Sequence, residues 1–238
     1  MRYSRFVVAF LALLLVLFST GPAFADTVSM TFTGVGGANG GGFYTYPYYF
    51  SINSGPQTSL ICDSFDNEIN APETWTANVN SLLTAGTPGK GYFSALAGAQ
   101  TLYDAAGLIF EAILTGAVTS VQGNWAIWGL FSANAQNNPF YTSSGAAGIE
   151  STYLSTAEYD VVHGTLPAYL ASMVVYTPTS GVAGAGGPQE FIGITPEPAS
   201  LALFGSGLAL LAGAIRRRRR SGSGSRPELS RSFEAVER

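Results

Sequence analysis

The stretch 92-YFSALAGAQTLYDAAGLIFEAIL-114 decides the fold class. Leu102, Ala106, Ile109 and Ile113 recur along one face at helical spacing, with Gln100, Asp104 and Glu111 elsewhere, which predicts a helix between Tyr92 and Leu114. Before it, the chain reads as strand. Thr27–Thr33 alternates, and Gly34–Gly42 is a turn or loop. Phe43–Ile52 is aromatic-rich and broken at Pro47, the pattern of an edge strand or two short strands. Ser59–Phe65 carries Cys62, and Trp75–Val79 follows. After it, Trp125–Phe131 is a short apolar helix with Asn124 at its cap position. Ser155-Thr156-Ala157-Glu158 has capping-box spacing before a helix reaching His163. Met173–Tyr176 and Phe191–Ile194 return to strand, with Gly181–Pro188 as a loop between them. Strands, then helices, then strands, without βαβ alternation, predict a single α+β domain over residues 26–194.

Charge is distributed unevenly. Between residues 26 and 195 eleven acidic side chains face Lys90 alone, a net charge of −10 where the whole chain carries −4. The other basic residues lie in the two ends. A phosphate-binding surface displaces counterions with Lys or Arg, so this composition excludes nucleic acid as a partner. Cys62 is the single cysteine, and no intramolecular disulfide forms.

Both ends are built for membranes. Arg2 and Arg5 precede the apolar run Phe6–Phe18, and Ala23-Phe24-Ala25 is a small-x-small cleavage site. These are the parts of a signal peptide over residues 1–25, read by the Sec export machinery, with Asp26 first in the mature chain. At the other end Pro196-Glu197-Pro198 leads into the apolar run 199–215, about 26 Å long as a helix. Arg216, Arg217, Arg218, Arg219 and Arg220 follow and hold the end of that span on the cytoplasmic side, as stop-transfer charges. Residues 221–238 are Ser/Gly-rich and then charged, the composition of a disordered cytoplasmic tail.

Thr195-Pro196-Glu197-Pro198-Ala199-Ser200, the glycine-containing span and the arginine block together resemble the PEP-CTERM sorting signal over residues 195–220. The resemblance implies exosortase as a processing partner, with the inner membrane as a transient anchor. It implies a Gram-negative host and a destination at the cell surface or in an extracellular matrix of exopolysaccharide or biofilm type. The tail after the arginines departs from the usual signal, which ends at the basic cluster.

Catalytic patterns are scarce. His163 is the only histidine, and neither GxSxG nor HExxH occurs, so the expected class is non-enzymatic, with no cofactor and no metal. Asp63, Asp66, Asn67 and Glu68 are oxygen-rich but lack EF-hand spacing, and read as a solvated turn. Phe43, Tyr44, Tyr46, Tyr48, Tyr49 and Phe50 read as alternating core residues of a strand, or as a strip that stacks on sugar rings. Cys62 followed by Asn124-Trp125-Ala126-Ile127-Trp128 resembles the layout of thioester-forming adhesin domains, which makes Cys62 the candidate reactive thiol. Asn124 stands where that family joins a Gln to the Cys, Gly123 stands where Thr is usual, and Gln122 lies two positions early. The function expected is an exported matrix-associated protein; the alternative is an adhesin or glycan-binding module.

Overall fold

A computed structural model describes residues 27–195, except 182 and 185, together with Gly207. The signal-peptide residues, with Ala23 and Ala25, lie outside the described residues. So do Pro196, Glu197, Pro198, the span 199–215 apart from Gly207, the arginines 216–220 and the tail 221–238. The chain divides into two units, residues 1–195 and 196–238. Among the described residues no helix is long and apolar enough to cross a membrane.

The first unit is α+β. Its strands are β1 (Thr27–Val35), β2 (Asn39–Gly40), β3 (Phe43–Tyr44), β4 (Tyr48–Ile52), β5 (Gln57–Cys62), β6 (Glu73–Ser81), β7 (Met173–Pro178) and β8 (Phe191–Ile194). Six of them close an antiparallel barrel in the order β1-β4-β5-β8-β7-β6, while β2 and β3 form a separate hairpin. Between β6 and β7 the chain makes five α-helices, α1 (Ala99–Leu114), α2 (Ser120–Phe131), α3 (Ala133–Asn137), α4 (Pro139–Ser143) and α5 (Ala146–His163), flanked by two short 3-10 turns.

Alternation fills the barrel. Val28, Met30 and Phe32 of β1, Tyr48 and Phe50 of β4, and Trp75 and Ala77 of β6 are buried, with more exposed residues between them. Phe50 is at the centre, 4.6 Å from Phe191, 5.4 Å from Phe32 and 5.7 Å from Trp75 between ring centroids. Each ring so buried stabilises the fold by about 1.5–3 kcal/mol. All six residues of β7 are buried; the short 3-10 turns Leu82–Thr84 and Ala168–Ser172 pack against that strand.

The structure revises several expectations. Of the two expectations for Phe43–Ile52, two short strands is the one observed, as β3 and β4; the edge reading fails for β4, which pairs with β1 on one side and β5 on the other inside the closed barrel. The helix predicted from Tyr92 starts at Ala99, after a series of turns that ends at Gly98 with φ +71°. Asp104, off the predicted apolar face, is buried all the same, since packing surrounds α1; Gln100 Nε2 donates to its Oδ1 at 2.8 Å. The apolar run Trp125–Phe131 belongs to a longer helix capped by Thr119, whose hydroxyl accepts from the Gln122 N–H; Asn124 lies inside it. Likewise Ser155–Glu158 falls within α5, which begins after Gly145 at φ +86°.

Candidate functional site

Residues Cys62 to Asn70 leave β5 beneath α2, and the cysteine is held there on every side. Cys62 is fully buried and unpaired. Trp128 Nε1 donates to its Sγ at 3.5 Å, and Sγ lies 3.6 Å from the Ser64 carbonyl. Asn124 bridges two layers: its Nδ2 donates to the Cys62 carbonyl at 2.8 Å, and its Oδ1 accepts from the Tyr46 N–H at 2.8 Å. The thiol, its helix and the Ala-Ile-Trp segment are therefore brought together. Yet both ends of the Asn124 carboxamide are engaged by backbone, and Gln122 donates away from the cysteine to Ser144 at 2.8 Å. Burial, with Asp63 adding to it, pushes the Cys62 thiol far above its ordinary range, so the thiolate that would act as a nucleophile is suppressed.

Asp63 and Glu190 form a buried carboxyl pair at the adjoining ends of β5 and β8, both with zero exposure. Asp63 N donates to the Glu190 carbonyl at 3.4 Å, and Ser64 Oγ accepts from the Glu190 N–H at 2.7 Å. The Glu190 carboxyl collects donors: the Tyr103 hydroxyl at 2.6 Å, the Tyr92 N–H at 2.8 Å and the Thr177 hydroxyl. Neither Asp63 carboxyl oxygen has a hydrogen-bond partner among the described residues. Burial first, and the neighbouring carboxylate second, raise Asp63 well above its ordinary value of 3.8; burial also raises Glu190. Two carboxylates in one dry site cannot both be charged, and the three donors favour the charge on Glu190. Asp63 thus keeps the proton beside a charged Glu190. The expected solvated turn is corrected here, since Asp63 and Asn67 are buried, while Asp66 accepts from Ser132 Oγ at 2.6 Å and Asn134 Nδ2 at 2.8 Å. Among the described residues no group of three or more His, Cys, Asp and Glu is placed to hold a metal.

An open groove of about 410 Å³ lies between the β2–β3 hairpin and the loop 63–72. The hairpin is seated by close approach: Trp125 Nε1 donates to the Gly40 carbonyl at 3.1 Å, and a Cβ on Gly40 would meet Val121 at 2.4 Å. That seating brings Phe43 to 4.9 Å from Phe65 and 6.3 Å from Trp128, ring to ring, as one wall of the groove. Phe43 is 40 % exposed and Tyr44 is 56 % exposed, whereas Tyr48 is a buried floor residue whose hydroxyl donates to the Tyr44 carbonyl. The run Phe43–Phe50 therefore divides between surface and core. His163 stands apart at the exposed end of α5, stacked on Tyr159 at 3.9 Å.

Ile194 still pairs with Met173, and Thr195 donates to the Ser172 carbonyl through both its N–H and its hydroxyl, each at 2.8 Å. Pro196 is next in sequence. Residues 195–220 match the PEP-CTERM protein-sorting motif. The chain therefore carries the sorting signal of an exosortase-targeted surface protein, exported with a membrane-anchored precursor. No curated protein and no solved structure matches the chain.

The PEP-CTERM match begins at Thr195, the last described residue of the first unit. Sequence reasoning passed over Gln189, Glu190 and Phe65. Gln189 lines the groove and holds the opposite loop, donating to the Asn67 carbonyl at 2.7 Å and the Ser64 carbonyl at 3.3 Å. Its Oε1 has no partner although the residue is only 8 % exposed. A polar pair inserted just before the apolar Phe191–Ile194 was the one local signal available.

Proposed function

We propose that the mature chain is a non-enzymatic protein of the cell surface or extracellular matrix, released from a temporary inner-membrane anchor by exosortase. The observation that carries this reading is the PEP-CTERM motif at residues 195–220, following an acidic barrel domain. The apolar run 199–215 and the arginine block give the precursor a span and a cytoplasmic stop. Pro196 and Pro198 break that helix and keep Glu197 extended, where a membrane-embedded protease reaches the chain.

The test is mass spectrometry of the protein recovered from membranes, cell surface and culture fluid, in a host encoding an exosortase. Wild-type surface material is expected to begin at Asp26 and to lack residues 216–238. Replacing Pro196-Glu197-Pro198 by three alanines is expected to build up uncleaved precursor in the inner membrane. Surface protein that retains the arginines in both forms would mean that the anchor is permanent, and the reading would fall.

A further inference from the structure

We propose that the groove between the β2–β3 hairpin and the loop 63–72 binds the rings of a neutral polysaccharide chain. The proposal rests on the matrix-associated reading and names the ligand class that reading leaves open. Its volume of about 410 Å³ falls in the range of ~300–1,000 Å³ occupied by ligand sites. The lining combines two kinds of group that a sugar ring needs. Aromatic surface packs against the C–H face of a pyranose, and Phe43 and Tyr44 expose that surface at the mouth, with Phe65 and Trp128 behind them. Neutral amide and carboxylate groups exchange hydrogen bonds with hydroxyls, and Asn70, Glu68 and Gln189 line the same groove.

Accessible polar groups separate this from an indifferent apolar cleft: Glu68 and Asn70 of the lining are both exposed and free to meet sugar hydroxyls. Charge then decides the class of sugar. Lys90 is the single Lys or Arg among the described residues, and it does not line the groove, whereas Glu68 does. An anionic chain such as a polyuronate would meet repulsion without a counter-charge, while a neutral chain incurs no such cost.

The test uses the full chain in a detergent without a sugar headgroup, with tryptophan emission reporting on Trp128 and Trp125. Soluble cellohexaose, laminarihexaose and maltohexaose serve as neutral probes, and an oligogalacturonate serves as the anionic one. Saturable binding of a neutral probe is expected, with none of the uronate. Phe43→Ala and Tyr44→Ala are each expected to weaken it by about tenfold. Tyr44→Ala, at the more exposed position, is expected to melt like wild type and so separates binding from folding. Failure of every neutral probe to bind, tighter binding of the uronate, or wild-type affinity in both variants would overturn the proposal. Matrix recovery of wild type, measured beside this, keeps the two readings apart. Protein found in the matrix whose groove takes no sugar defeats the groove alone, and sugar binding by protein absent from the matrix defeats the destination alone.

Discussion

At the scale of single residues, the buried Asp63–Glu190 pair ties folding to protons. Both groups titrate above their ordinary values of 3.8 and 4.5 in the folded chain, with burial the leading cause. A group whose folded value is raised contributes stability that is fully present below its unfolded value. That stability is lost as pH rises through the folded value. The domain is therefore expected to be steadiest in mild acid and to lose melting temperature progressively toward alkaline pH. Asp63→Asn removes the second carboxyl while keeping the size and shape of the side chain. Its melting temperature is expected to vary less with pH than that of wild type over an acid-to-alkaline series. An identical slope in the two proteins would show that the pair is not the source. Tyr103 and Tyr92 share the network, and burial beside Glu190 raises both phenols, Tyr92 to about 12. They stay protonated donors across the range in which the carboxyls titrate.

At the scale of elements, the hairpin Asn39–Tyr44 is the part whose position most depends on one side chain being absent. A methyl group on Gly40 would fall 2.4 Å from Val121 Cγ1 and 2.9 Å from the Phe140 ring. Gly40→Ala is expected to cost about 1–3 kcal/mol in thermal or urea unfolding, the usual penalty of overpacking. The same change is expected to displace Phe43 from Trp128, seen as a shift in tryptophan emission. Strands were legible wherever one face is buried, because alternation in Thr27–Thr33 and the apolar runs at Cys62, Met173 and Phe191 reports directly on side-chain environment. Barrel closure was not, since pairing of β1 with both β4 and β6 depends on distant partners. Helix starts failed for two local reasons. Thr119 caps α2 across the polar residues Gln122 and Asn124, and Asn124 is accepted inside the helix only because Cys62 and Tyr46 satisfy it. α5 buries only Ala146 and Ala157, so it has no apolar stripe to read, and the box-like Ser155–Glu158 spacing is a coincidence of its interior. The groove was half legible: its aromatics stood out as a cluster, but only the fold divides them into Phe43 and Tyr44 outside and Tyr48 and Phe50 within.

At the scale of the whole molecule, a domain with one lysine is followed by a segment with five adjacent arginines, and this contrast sets its route. Replacing Arg216–Arg220 by serine is expected to reduce retention of the precursor in the inner membrane and to disturb the orientation of the span. Fractionation and processing indistinguishable from wild type would remove the stop-transfer role. Thr195, still hydrogen-bonded to Ser172, is the sole residue between β8 and Pro196. Under the proposed processing, the mature protein therefore has almost no stalk. A group joined at the new end would pull on β8 itself, and β8 is laced to β5 and β7 on its two sides. Tension from a sheared matrix would enter the barrel along a strand that is bonded on both flanks. Such a load spreads through the sheet instead of being absorbed by a slack linker, and the anchor point becomes a mechanical member of the fold.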